Sequence, residues 1–137
     1  MRTVVVFFSG SNRNRILTLA KALAKGMESQ GHQVDIVDGD HDVNTKLTAY
    51  QYLAVGTEPL SGLGGKISEK ISQFLNSAGM IAGKKSFAFV HKNVAGAGKA
   101  LTRLMKVMEK EGMFIKNSNV MSSAEEAEAV GRKLHIR

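Results

Sequence analysis

The chain has 137 residues, 43% of them apolar and 23% charged, which suits one domain with a buried core and excludes a disordered chain. It has no cysteine, so disulfides, thiolate metal sites and cysteine nucleophiles are ruled out together. The net charge is +7, yet the only aromatics are six phenylalanines and two tyrosines, and none is interleaved with basic residues. That pattern speaks against a nucleic-acid surface and leaves solubility or an acidic partner as the use of the charge.

The first eight residues, MRTVVVFF, carry one charge and an apolar run too short for a signal segment or a membrane span. They read as a strand, and the protein as cytoplasmic with no membrane attachment. Residues 3–8 show no polar alternation, the mark of a strand covered on both faces. A helical stripe follows at Ile16, Leu19, Ala20, Leu23 and Met27, and Gly31 ends it. HQVDIVDGD then alternates Val34 and Ile36 with Gln33 and Asp35, as a half-exposed strand does. Residues 41–48 are too polar and too short a stretch for a regular helix and read as a helical turn or a loop.

A third strand occupies 49–56, followed by the glycine-rich TEPLSGLGG. Ile67, Ile71, Phe74 and Leu75 mark a second helix, and 86–90 a fourth, buried strand. After HKNVAGAG a third helix is carried by Ala97, Leu101, Leu104, Met105 and Met108. The fifth strand, 113–121, turns polar halfway. Ser123 with Glu126 forms a capping box for a last helix bearing Ala127, Val130 and Leu134.

Strands alternating with helices along the whole chain predict a single domain, 1–137, in three α/β layers: a doubly wound, five-stranded parallel sheet. The continuously apolar first and fourth strands belong inside the sheet, and the half-polar second and fifth at its edges. The order 2-1-3-4-5 places them so and is built with right-handed crossovers. In such a sheet ligands bind beyond the carboxyl ends of the strands at the switch point, here between strands 1 and 3. Three loops, 9–15, 57–65 and 91–98, converge there.

The strand leading into SGSNRNR, the run VGTEPLSGLGGKISEKISQFL and the five-fold alternation together resemble the flavodoxin-like family over nearly the whole chain. The resemblance implies an FMN-binding protein that passes electrons between redox partner proteins, an electron carrier rather than a stand-alone enzyme, with no catalytic side chain. It places Ser9 and Ser11 at the hydroxyl positions of the phosphate loop. Asn12, Arg13 and Asn14 fall at the turn whose N–H groups face the phosphate, and Asn14 or Arg15 at its closing position. Thr57, Glu58, Pro59, Leu60, Ser61 and Gly62 correspond to the first loop flanking the flavin ring, and His91, Lys92, Asn93 and Gly96 to the second. The chain departs from the family in having no inner glycine and no closing threonine in the first loop, no aromatic in 57–65, and a basic rather than acidic balance.

Each feature also has a plainer reading. Ser11, Asn12 or Asn14 can serve only as a helix cap. Arginines in a first turn oppose the helix dipole unless an anion is present, and this favours a phosphate. Loop 57–65 is either a ring-binding loop or a simple connection. Glu58 either repels a reduced flavin or points to water. His91 and Lys92 either tune a flavin or end a strand in solvent. The scattered histidines give no metal-ligand spacing, so no metal site is expected. Lys99, Arg103, Lys106 and Lys110 form a basic row suited to solvent or to an acidic partner. Two further functions remain open: a binding module of this fold that takes no flavin, and a small NAD(P)H-dependent FMN reductase.

Overall fold

The structure, a computed structural model, describes residues 1–60, 64–92 and 95–137. Its strands are β1 (Arg2–Phe8), β2 (Gln33–Asp38), β3 (Tyr52–Thr57), β4 (Lys85–His91) and β5 (Phe114–Met121). The helices are α1 (Arg13–Glu28), α2 (Lys70–Asn76), α3 (Ala97–Lys110) and α4 (Ala124–Lys133). All strand pairs are parallel, in the order β2-β1-β3-β4-β5. The sheet predicted from strand chemistry is the sheet observed.

The unbroken apolar strands follow from the three layers. Val4, Val6 and Phe8 of β1 face one way, with Leu53, Val55, Ala88 and Val90, against α2 and α3. Val5 and Phe7 face the other way, with Ala54, Phe87 and Phe89, against α1 and α4. Neither face of these strands meets water, so no polar alternation is tolerated. The helix stripes bury Leu19, Leu23 and Met27 from α1, Phe74 from α2, and Leu104 and Met108 from α3.

Differences from the sequence reading lie at the edges. In β2, Ile36 is 40% exposed and Val37 is the buried residue. Burial along an edge strand follows the packing of its neighbours rather than its own alternation. The second helix starts at Lys70, and Ile67 packs on the core from the preceding loop. In β5 the register slips between Ser86 and Phe87 of its partner, so that Ile115 and Asn117 take successive places and Lys116 is passed over. Such a bulge matches the point where β5 becomes polar. The cap of α4 is Ser123, whose side chain accepts from the Glu126 N–H, while the Glu126 carboxylate accepts from the N–H of Ser122, one residue before the usual position.

His32, between α1 and β2, is buried with its Nδ1 unpartnered among the described residues. Burial first, then the charges of the chain's amino end and Arg137, pushes its pKa below the ordinary value. The folded state therefore favours the neutral ring. This stabilisation is present above the unfolded pKa near 6.5 and is lost as pH falls through the lower folded value. Urea midpoints should fall between pH 7.5 and 5.5, and His32→Gln should flatten that slope; an unchanged slope would remove His32 as its source.

Candidate functional site at the switch point

Parallel registry sets the geometry here. Phe8 of β1 pairs with Thr57 of β3, so the two strands end level and the residues after them lie side by side. The Thr57 hydroxyl ties this end by donating to the Phe8 carbonyl at 2.9 Å. The next residue on β3, Glu58, thereby lies beside the first loop. It precedes Pro59, which disfavours a helical backbone and keeps the chain extended.

The Glu58 carboxylate does not point to water. It is fully buried, and its Oε1 accepts from the backbone N–H groups of Gly10 at 3.0 Å and Asn12 at 2.5 Å. Gly10 is required by this approach: a Cβ there would stand 2.7 Å from both Glu58 Cγ and the Pro59 carbonyl oxygen. A second carboxylate comes from beyond β2. Asp40 Oδ2 accepts from the Ser9 N–H at 2.8 Å and the Ser9 hydroxyl at 2.7 Å. Two carboxylates of the chain thus hold three N–H groups and one hydroxyl of the loop.

Asn12 is the cap of α1, its side chain accepting from the Asn14 N–H at 3.0 Å. Ser11 and Asn14 are exposed. Arg13 turns to the β2 end, where its Nε donates to Asp38 at 2.9 Å and its guanidinium lies 5.5 Å from the centre of the Phe7 ring. Burial opposes the charge of Asp38, but the hydrogen bonds of His41, Arg13 and the Asp40 N–H outweigh it, and its carboxyl is held below the usual range. The arginine that looked unfavourable in a first turn therefore has an anionic partner within the protein.

On the other flank, Arg15 is half-buried. His91 ends β4 with Nδ1 buried and unpartnered among the described residues. Burial, the largest cause, lowers the His91 pKa; the Glu58 charge raises it and that of Arg15 lowers it. Lys92 is exposed, and its backbone N–H donates to the Met121 carbonyl at 2.9 Å. Pro59 is buried, and the Leu60 N–H donates to the Lys66 carbonyl at 2.8 Å. Gly96, at φ +96°, caps α3 in the left-handed region, and Gly65 lies close against it: a Cβ on Gly65 would stand 2.6 Å from the Gly96 oxygen. Ser61, Gly62 and Asn93 lie outside the described residues. Two of the shallow grooves at this end of the sheet border the end of β4. One, of about 290 Å3, runs along Arg15, Thr18, His91 and Ser122. The other, of about 480 Å3, runs along Lys92, Gly96, Val120 and Glu126.

Asp38 and Asp40 were not among the predicted site residues. The signal was present in the DGD that ends β2, because the order 2-1-3 puts that end beside the first loop.

The donor set suits an anion, since backbone N–H groups at the start of a 16-residue helix gather on one anionic oxygen. The same donors would fit the phosphate of FMN only with the Glu58 carboxylate withdrawn from them. They are already satisfied, and a phosphate beside two carboxylates meets like charge.

No protein-family profile matches the chain, and no curated protein matches it in sequence. Its fold is similar to solved flavodoxins. A flavodoxin from the domain Archaea superposes with a TM-score of 0.66 at 17% identity, over 96% of this chain and 94% of that one. Oxidised flavodoxin 1 from Bacillus cereus gives 0.70 at 16% identity, over 94% of each chain. The flavodiiron protein from Giardia intestinalis gives 0.68 at 16% identity, over 97% of this chain but 35% of its own length.

Proposed function

We propose that this chain, whose fold is flavodoxin-like, is a switch-point binding protein for a phosphate-bearing ligand, with FMN as the first candidate and electron transfer between partner proteins as its role. The observation that supports the reading is the pair of N–H groups, Gly10 and Asn12, that converge at the head of α1 on one anionic oxygen, that of Glu58, whose place a ligand phosphate would take once Glu58 withdraws. The flavin, when bound, supplies the redox chemistry. The protein's share is orientation and exclusion of water: the 9–15 loop would face the phosphate, and Pro59, Leu60 and His91 would flank the ring. The exposed row Lys99, Arg103, Lys106 and Lys110 on α3 supports docking to an acidic partner.

A second reading is favoured by the buried Glu58 carboxylate. A chain that keeps its own anion in the cradle is a flavin-free binding module. Titration of the colourless protein with FMN and with riboflavin separates the two. The first reading expects a quenched, protein-bound flavin at micromolar FMN and weaker binding of riboflavin, which lacks the phosphate. No binding of either at high micromolar concentration would leave the flavin-free module.

A further inference from the structure

We infer that Glu58 is the resident anion of the switch-point cradle, and that a phosphate-bearing ligand enters only by displacing it. The inference rests on the reading of the 9–15 loop as a phosphate site and assigns that site its selectivity control.

Three observations carry it. The Glu58 side chain has no exposure to solvent, although the glutamate follows directly on a strand end where loops normally meet water. Its Oε1 holds two N–H groups at once, the arrangement that anion sites at helix starts present to a phosphate oxygen. Gly10 has no room for a side chain against Glu58 Cγ and the Pro59 carbonyl, so the loop is shaped around this glutamate. The carboxylate thus plays toward its own backbone the part that a ligand phosphate plays elsewhere.

Exchange has a defined cost and return. Withdrawing the carboxylate breaks its charge-assisted hydrogen bonds to the Gly10 and Asn12 N–H groups, and a phosphate arriving in its place restores them. If Glu58 stayed, the incoming phosphate would face it, with Asp40 on Ser9 close behind. Occupancy by Glu58 therefore makes the cradle discriminate against weak anions and admit only a ligand whose other contacts offset the displacement. Arg15 of α1 and His91 of β4, which line one groove at this end of the sheet, are the side chains offered to the ligand's remaining oxygens.

The test compares the parent protein with Glu58→Ala and Glu58→Gln, titrated with inorganic phosphate and followed at the backbone amide resonances of Gly10 and Asn12. Glu58→Ala is expected to bind phosphate at least about tenfold more tightly than the parent, equivalent to about 1.4 kcal/mol, with both amides shifting. Glu58→Gln keeps the shape and one neutral acceptor, and should fall between them; it decides the matter if the alanine variant does not fold. Equal phosphate affinity in the proteins that fold, or no movement of the Gly10 and Asn12 amides in any, would overturn the inference. Parallel titrations with FMN and riboflavin keep the two ideas apart. A phosphate gain with no flavin binding leaves the displacement standing and removes the flavin. Equal FMN affinity in parent and variants supports the flavin and removes the displacement.

Discussion

Replacing Phe89 with alanine is expected to lower the unfolding free energy by about 3–5 kcal/mol, the range for a phenylalanine removed from a packed core. The side chain is fully buried on β4 and stacks on Phe87, with ring centroids 5.8 Å apart and an 18° interplanar angle. Its ring lies across Gly56 on the neighbouring strand, where a Cβ would stand only 2.1 Å from the ring. The absent side chain at 56 and the large one at 89 therefore share one volume. Gly56→Ala alone should destabilise by about 1–3 kcal/mol, because the ring is enclosed and cannot swing aside. The double variant should lose less than the sum, since the new methyl occupies part of the void; a coupling of about 0.5–3 kcal/mol is typical of residues in contact. Urea unfolding of the four proteins of the cycle measures this, and strict additivity would show that the two residues do not compete for space.

Alanine at Gly131 should destabilise the protein even though helix propensity predicts the reverse. Glycine inside a helix is about 0.8–1.0 kcal/mol worse than alanine, so α4 taken alone would gain from the change. But α4 crosses α1 glycine to glycine. A Cβ on Gly131 would stand 2.4 Å from the Leu23 carbonyl oxygen, and one on Gly26 2.2 Å from the Glu128 carbonyl oxygen. These are backbone atoms and cannot rotate away, so the helices must separate and loosen the packing of Leu23, Met27 and Ala127. Overpacking against a rigid contact lies in the upper part of about 1–3 kcal/mol, which outweighs the propensity gain and leaves a net loss of about 1–2 kcal/mol. Gly98, on α3, provides the control: a Cβ there meets nothing within 4 Å, and its φ is not positive. Gly98→Ala should raise the urea midpoint while Gly131→Ala lowers it. A rise in both would mean that the crossing of α1 and α4 is loose enough to admit a methyl group.

Much of the architecture was readable before any coordinates because burial on two faces leaves a plain trace. TVVVFF and SFAFV have no polar alternation, and in a parallel sheet only inner strands can be so written. The polar second half of β5 marked an edge in the same way. The site was readable only as a place. The convergence of the 9–15, 57–65 and 91–98 loops followed from topology, and the cap of α1 from the choice of polar residues that precede it. What each side chain does there was not readable. Glu58 looked free to face flavin or water, and Arg13 looked unpartnered; each finds its partner across a gap of 25 or more residues.

Local physics therefore determined the elements and the order of the strands, since periodicity, capping and two-sided burial are properties of short segments, and the strand order in turn set which loops share an end of the sheet. Tertiary structure decided the chemistry of that end. Parallel registry brings Thr57 level with Phe8, and this carries Glu58 into the 9–15 loop. The pairing of β2 with β1 brings Asp38 and Asp40 to the same loop. Charge pairing between distant segments depends on which strands lie side by side and in what register. No stretch of SGSNRNR states by itself whether its donors await an anion or already hold one.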